Sequence, residues 1–436
     1  MKLKKLSAAL LVATLTTGLV AGCGSSSSDT NEGNQVETPA TESADASAST
    51  AAADGTIEPC EIEFWHAMTG QQEETLTEMT EKFNSENEYG ITVTLVNQGY
   101  YSDLSTKLTA NAVADTLPDM AQGYNSWVLP YIDKVVHLDD FVANDYDDYD
   151  DIIESYRAEN SEFGFISGMP FNKSTYVLFY NKTLFDELGL EAPTTWEDMY
   201  TVGEAFKTQK DMVAFGYDDL AGMLEATIRQ AGSEYVTVDG AQFDNEQGQA
   251  AVTQIMGLYE NGYARLAGED GYFSGPFSNQ LVAAYVGSST GVSYITHDDF
   301  ELGVAPLPGD AVKAANQAGT NLFMFTQDAN KQKAVWEYMK YLTSTEATTE
   351  WAMATGYLPI RTSAYESDEY QTFMQDDPTS TAAYAQADSF FYSPAFDGSY
   401  DVMSAMNTKM EELILNNTDA ETALTELVDT VNNTLK

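Results

Sequence analysis

Eight acids crowd into sixteen residues of this chain: Asp139, Asp140, Asp145, Asp147, Asp148, Asp150, Asp151 and Glu154. Oxygen ligands at that density suggest a calcium loop. The EF-hand pattern fails, however. Counting from Asp145, position five is Tyr149, and position six is Asp150 where the turn needs glycine. The run reads instead as a solvated loop whose acids lead into a helix N-terminus. His66, His137 and His297 are the only histidines, with Cys23 and Cys60 the only cysteines. That set is too small for an ordinary zinc cluster. Neither a metal nor a cofactor is expected. No G-x-S-x-G elbow, G-x-G-x-x-G loop or Walker A loop occurs in the sequence. Paired carboxylates could hydrolyse a glycosidic bond, but 68 acids make any chosen pair uninformative. A secreted glycosidase therefore stands only as a rival reading, and the chain is not expected to be an enzyme.

The surplus that can do chemistry is aromatic: 26 Tyr, 20 Phe and 5 Trp. Most belong in cores. A tyrosine also offers a small polar ligand a flat apolar face and a hydroxyl. Several aromatics sit beside glycine or asparagine at expected strand ends: Trp65-His66, Gly99-Tyr100-Tyr101, Gly123-Tyr124-Asn125 and Gly356-Tyr357. Ligands of α/β proteins collect at the carboxyl ends of strands, so these loops are candidates.

The elements that would position them can be read from periodicity. Residues 61–64 alternate as a strand. Leu76, Met79, Thr80 and Phe83 give 71–87 a helical face. A strand over 91–96, a helix over 103–114 and a strand over 118–122 complete a β-α-β-α-β opening, which predicts an α/β class. Further strands are expected at 176–180, 213–217, 292–296 and 303–307. Helices are expected at 182–188, 220–231, 245–261, 329–343, 400–416 and 420–434. Thr195 should cap another helix, with Asp198 at its third position.

The first segment bears on compartment. Lys2, Lys4 and Lys5 precede an apolar run from about Ala8 to Val20, too short for a comfortable membrane span. Val20-Ala21-Gly22-Cys23 resembles a bacterial lipobox. That resemblance implies cleavage after Gly22, lipidation of Cys23 and anchoring on the outer face of a Gram-positive-type cytoplasmic membrane. Residues 24–56 carry no lysine, arginine or aromatic residue and predict a flexible acidic tether. Contact with the membrane would then run through the lipid alone. The net charge of −48 argues against a nucleic-acid backbone as partner. The tether holds six of the acids, so the charge belongs to the body.

Several stretches resemble family 1 extracellular solute-binding proteins of ABC importers. They include FWHAMTGQQEETLTEMTEKFN (64–84), PDMAQGYNSW (118–127), PFNKSTYVLFYNKTLFDELGL (170–190), GVAPLP (303–308) and TGYLPIRTSAY (355–365). The similarity spans essentially all of 57–436. It implies a two-lobed periplasmic-binding-protein-like α/β fold with a ligand cleft and several hinge crossings. Lobe I would comprise 57–168 with 316–357, and lobe II 169–315 with 358–436. A monomer that delivers a small molecule to permease subunits is implied.

Glycerol-3-phosphate-binding members share F-W-H-x-M, P-F-N-x-S-T and T-G-Y-L-P-I. Carrying their contacts over marks Tyr101, Ser174, Ser288 or Ser289, Gly319 and Tyr357. His66 from the strand-end loops joins the set. Asn125 stands where those members have glutamate. Tyr217 lies in the stretch that lacks their ligand-packing tryptophan. Their arginine near 393–400 is missing too; Arg361 could substitute, with a structural role an equal alternative because basic residues after G-x-L-P are common across the superfamily. A phosphate needs a cationic or multi-NH anchor. The expected ligand is therefore a neutral mono- or oligosaccharide, with glycerol-3-phosphate or a glycerophosphodiester as the alternative.

Overall fold

A computed structural model describes residues 56–309 and 312–436. The expected export signal, Cys23 and all but the last residue of the tether lie outside the described residues. The chain opens with β1 (Cys60–His66), which buries Ile62, Phe64 and His66 on one face. The helix Gln71–Glu86 follows and buries Leu76, Met79, Thr80 and Phe83, as the spacing predicts. Next come β2 (Ile91–Asn97), the helix Tyr101–Ala114 and β3 (Met120–Gly123). β2 and β3 both run parallel to β1, one on each side. Just before β1, the Asn330 side chain clasps the Glu58 backbone. Its Oδ1 accepts from the Glu58 N–H at 2.8 Å and its Nδ2 donates to the Glu58 carbonyl at 2.9 Å.

The later strands are β4 (Met169–Asn181), a small hairpin of β5 (Val236–Thr237) and β6 (Gly240–Ala241), then β7 (Ala284–Ser288), β8 (Leu302–Ala305), β9 (Ala315–Met324) and β10 (Phe390–Phe391). The main sheet runs β2-β1-β3-β9-β4-β7, with β8 also on β4 and β10 on β9. Two strands change partners along their length. β4 pairs with β9 up to Thr175 and with β7 from Tyr176. β9 pairs with β10 at Ala315–Asn316, with β4 from Gln317 to Leu322 across a register shift at Pro170–Lys173, and with β3 on its other edge through Asn321–Met324. At their junction Gly319 has φ +104°, and a Cβ there would stand 1.6 Å from the Asn172 carbonyl oxygen. Only glycine permits both that conformation and that approach.

Helices cover the sheet. Trp196–Lys210, Leu220–Gln230, Glu246–Glu260, Ser399–Leu415 and Ala420–Thr434 share one apolar cluster that includes Phe206, Leu224, Ile255, Met410 and Leu427. The expected capping box is formed. Thr195 Oγ1 accepts from the Asp198 N–H at 3.1 Å, and Asp198 Oδ2 accepts from the Thr195 N–H at 3.0 Å. Such a cap stabilises a helix by about 1 kcal/mol.

Three expectations change. β9 and the first half of β4 have no counterpart in the sequence reading. They are strands made of buried polar residues, among them Asn172, Lys173, Thr175, Asn316, Thr320 and Asn321, so the hydrophobic alternation is missing. Residues 292–296 are not a strand, because Ser289–Tyr294 forms a 3-10 helix. Ser289-Thr290-Gly291 favours turning there, and Ser293 Oγ bonds back to the Thr290 carbonyl at 3.1 Å. Residues 213–217 divide their pairing, Phe215 bridging Ala264 and Tyr217 bridging Val286, so no continuous strand forms.

Candidate functional site

The carboxyl ends of β1, β2 and β3 lead into the aromatic loops. Tyr101, at the start of its helix, places its hydroxyl 3.2 Å from that of Tyr357. Tyr124, just after β3, packs edge-on to Trp127 at 4.7 Å between centroids and lies 5.9 Å from the Tyr101 ring. Tyr357 follows Gly356, whose left-handed conformation ends the helix Thr345–Thr355, and it stacks on Trp351 at 5.9 Å. Burial pushes the Tyr101, Tyr124 and Tyr357 phenols above the ordinary tyrosine value. They therefore stay neutral near pH 7 and present O–H groups and ring faces. Tyr100 projects outward and is 76% exposed.

The remaining expected residues fall into place around these rings in different ways. His66 is buried at the end of β1, where its Nδ1 accepts from the Met68 N–H at 3.2 Å. Burial holds its pKa below the usual histidine value, against an opposing pull from Glu73, so it is a neutral imidazole. Asn125 is buried and committed. Its Nδ2 donates to the Glu159 carbonyl at 2.7 Å and to Glu162 Oε1 at 2.6 Å, and its Oδ1 accepts from Asn321 at 2.9 Å. Both amide hydrogens are thereby spent on the scaffold. Ser174 faces Ala318 on the paired strands β4 and β9, one residue from the Lys173–Gly319 pair. Ser288 ends β7 opposite Tyr176, and its hydroxyl contacts Thr290 at 2.9 Å. Tyr217 is buried beside a separate small concavity, which Tyr176 and Asp219 also line. Thus Tyr101 and Tyr357 meet directly, Ser174 and Gly319 share a strand pair, and Tyr217 and Ser288 gather near Tyr176.

The charged groups of this region are acids with their cations already engaged. Buried Lys173 donates to Glu159 Oε2 at 2.7 Å, and Gln317 donates to the same oxygen at 2.8 Å. Arg229 pairs with Glu225 at 2.8 Å and lies over the Phe391 ring at 4.5 Å. Glu162 accepts from Asn125 and from the Ala395 N–H, the latter at 2.9 Å. Burial pushes Glu162 up to about 7, against the lowering effect of those two bonds. Asp218 is raised to about 6 by burial, although the Phe273 N–H donates to it at 2.7 Å. Tyr176 donates to Asp219 Oδ2 at 2.8 Å. Glu162, Tyr176 and the Asp218-Asp219 pair were missed by sequence reasoning. No spacing marks Glu162, whereas two acids directly after Tyr217 were a usable signal.

Arg361 cannot serve as the substitute phosphate anchor. It is 1% exposed and reaches Asp148 at 2.9 Å and Asp151 at 3.1 Å. It also donates to the Thr343 carbonyl and the Tyr146 hydroxyl, each at 2.5 Å. The acidic run thus has a structural use, for two of its members neutralise a buried arginine.

The model of the family described as bacterial extracellular solute-binding protein matches residues 78–401. The sn-glycerol-3-phosphate-binding periplasmic protein UgpB of Pectobacterium atrosepticum is 27% identical over 354 residues, 75% of this chain and 79% of the relative. The cyclic alpha-maltosyl-1,6-maltose binding protein of Arthrobacter globiformis superposes with a TM-score of 0.78 at 23% identity, covering 87% of this chain and 99% of that one. UgpB of Mycobacterium tuberculosis, solved with glycerophosphocholine, gives 0.74 at 22% identity over 86% and 98%. The fold is the two-lobed mixed α/β architecture that the sequence led us to expect. The chain belongs to the bacterial extracellular solute-binding proteins.

Proposed function

We propose that this solute-binding protein captures a neutral carbohydrate, a mono- or oligosaccharide, and delivers it to the permease of an ABC importer. One observation carries the choice of ligand. Around the tyrosines, Lys173 and Arg229 are each paired with a glutamate, while Arg361 is locked elsewhere. A phosphate would meet carboxylates and phenols without a free cationic anchor. A sugar would meet ring faces for its apolar side and neutral O–H groups for its hydroxyls.

In this reading Tyr101, Tyr357 and Tyr217 contribute faces and hydroxyls. Ser174, Ser288, Gly319 and His66 contribute contacts beside the β4–β9 crossing. Asn125 acts by holding Glu162 and Glu159 in place. Lobe I comprises 57–168 with 316–357 and lobe II 169–315 with 358–436, so β4 and β9 lie at the crossings. Ligand bridging the two lobes shifts an open–closed equilibrium toward the closed form, which the permease engages. The protein works as a monomer on the outer face of the membrane, lipidated at Cys23, and returns its ligand unchanged.

Thermal melting of the protein with a sugar panel tests this. Ligand at about 100 times Kd adds roughly 2.7 kcal/mol of stability. Tyr101→Phe and Tyr357→Phe should each weaken binding by about 1 kcal/mol. The UgpB relatives favour a second reading, glycerol-3-phosphate or a glycerophosphodiester. Shifts with those compounds and none with sugars would establish it in place of the first.

A further inference from the structure

The concavity beside Tyr217 has a chemistry of its own. Its walls are apolar, supplied by Trp196, Met223, Ala226 and Val286. Two polar atoms at this pocket have no protein partner among the described residues, Asn316 Oδ1 and Asp219 Oδ1. Both are acceptors. Asn316 is 6% exposed, so its carbonyl oxygen is left unpaired in the interior. Leaving such a group unmet costs about 1–3 kcal/mol. Several donors nearby are already used. Tyr176 donates to Asp219 Oδ2 at 2.8 Å, Trp196 Nε1 donates to Gln230 at 3.2 Å, and Gln230 donates to the Ala314 carbonyl at 3.0 Å. Thr227 donates to the Met223 carbonyl at 2.7 Å.

An apolar sleeve with unpaired acceptors calls for a short apolar stem that ends in a donor. A phosphate or carboxylate end would set oxygen against oxygen. Strand β4 links this pocket to the tyrosine cluster: Lys173 bridges Leu358, the neighbour of Tyr357, three residues before Tyr176.

We propose that the Asn316–Asp219 pocket seats the exocyclic hydroxymethyl group of a hexose unit, its CH₂ against Met223 and Val286 and its O–H shared between the two free acceptors. This rests on the carbohydrate reading above and narrows it to hexoses over pentoses and uronic acids. The assignment explains why both acceptors are kept in an apolar pocket: the ligand supplies their missing donor.

The test pairs each hexose with the sugar that lacks only its hydroxymethyl group: glucose with xylose, galactose with L-arabinose, mannose with lyxose. Maltose and glucuronate complete the panel. Calorimetric titration of the intact protein should show at least roughly tenfold preference for one hexose over its pentose partner, with no binding of glucuronate. Asn316→Leu removes one buried acceptor and leaves the Tyr176–Asp219 bond in place. It should cut that preference several-fold while pentose affinity stays within twofold. Ala226→Leu fills the sleeve and should bring the hexose-to-pentose ratio close to one, with melting curves confirming that each variant is folded. If no sugar binds, the carbohydrate reading itself falls. If sugars bind but hexose and pentose are equal, or Asn316→Leu leaves the ratio unchanged, the pocket assignment alone is overturned.

Discussion

Two sets of carboxylates, on either side of Glu154 in the sequence, live in opposite electrostatic surroundings. Asp148 and Asp151 converge on the buried guanidinium of Arg361, and Asp151 also accepts from the Ser363 backbone at 2.9 Å and hydroxyl at 2.6 Å. Burial works to raise the Asp151 pKa, but the bonds from Ser363 and Arg361 outweigh it and hold the group below the ordinary aspartate value. Glu162, Asp218 and Glu225 border the tyrosine region. Burial raises all three, even Glu225, which has Arg229 beside it. The first set is a finished structural joint whose charges are matched. The second is desolvated carboxylate with incomplete compensation, as expected of a surface kept for a ligand.

The contrast can be broken most forcefully at Arg361. Arg361→Met strips the Thr343 carbonyl, the Tyr146 hydroxyl and Asp151 of a buried donor and should cost about 2–3 kcal/mol in urea unfolding. A cost under about 1 kcal/mol would show that the joint is not neutralised as described. The next effect is a matter of sign. Glu162 has a raised folded pKa, so its contribution is full below about 4.5 and is lost as pH rises through about 7. Asp151 has a lowered folded pKa, so its contribution is present above about 4 and is lost as pH falls through the folded value. Glu162→Gln should therefore flatten the decline in stability between about pH 5 and 8, by up to roughly 3 kcal/mol. Unchanged slopes in the variant would assign the decline to other groups.

Smaller effects sharpen the first region. Ser363→Ala removes a hydroxyl donor from Asp151 and should cost about 1.5 kcal/mol, with acid unfolding moved to higher pH. Asp150→Ala removes the exposed partner of Arg157, whose side chain is paired at 2.6 Å to a carboxylate that is 92% exposed. That loss should stay below about 0.5 kcal/mol, which separates Asp150 from Asp151, whose arginine partner is buried.

The same contrast marks what the sequence could disclose. The alternation in 61–64 and the helical spacing of Leu76, Met79 and Phe83 encode burial directly, so that part of the fold was legible. So was the Thr195 cap, because its chemistry is local. β9 was not legible, since Asn316, Gln317, Thr320 and Asn321 are held by bonds to residues far away in the chain. The tyrosine loops were found because glycine and aromatics adjoin at strand ends. The choice for Arg361 between ligand anchor and structural residue stayed open in the sequence because its carboxylate partners lie some 210 residues earlier. Glu162 was invisible for a related reason: its unusual proton affinity comes from a burial that the tertiary fold creates.

The Asn330 clasp on Glu58 also has a mechanical meaning. Any pull applied through the residues that precede Glu58 reaches two opposed hydrogen bonds before it reaches β1. Behind them β1 is held on both edges by β2 and β3, so a pull along the strand shears many bonds together instead of opening them one after another. Force entering at Glu58 is thereby spread across both edges of β1 and into the sheet.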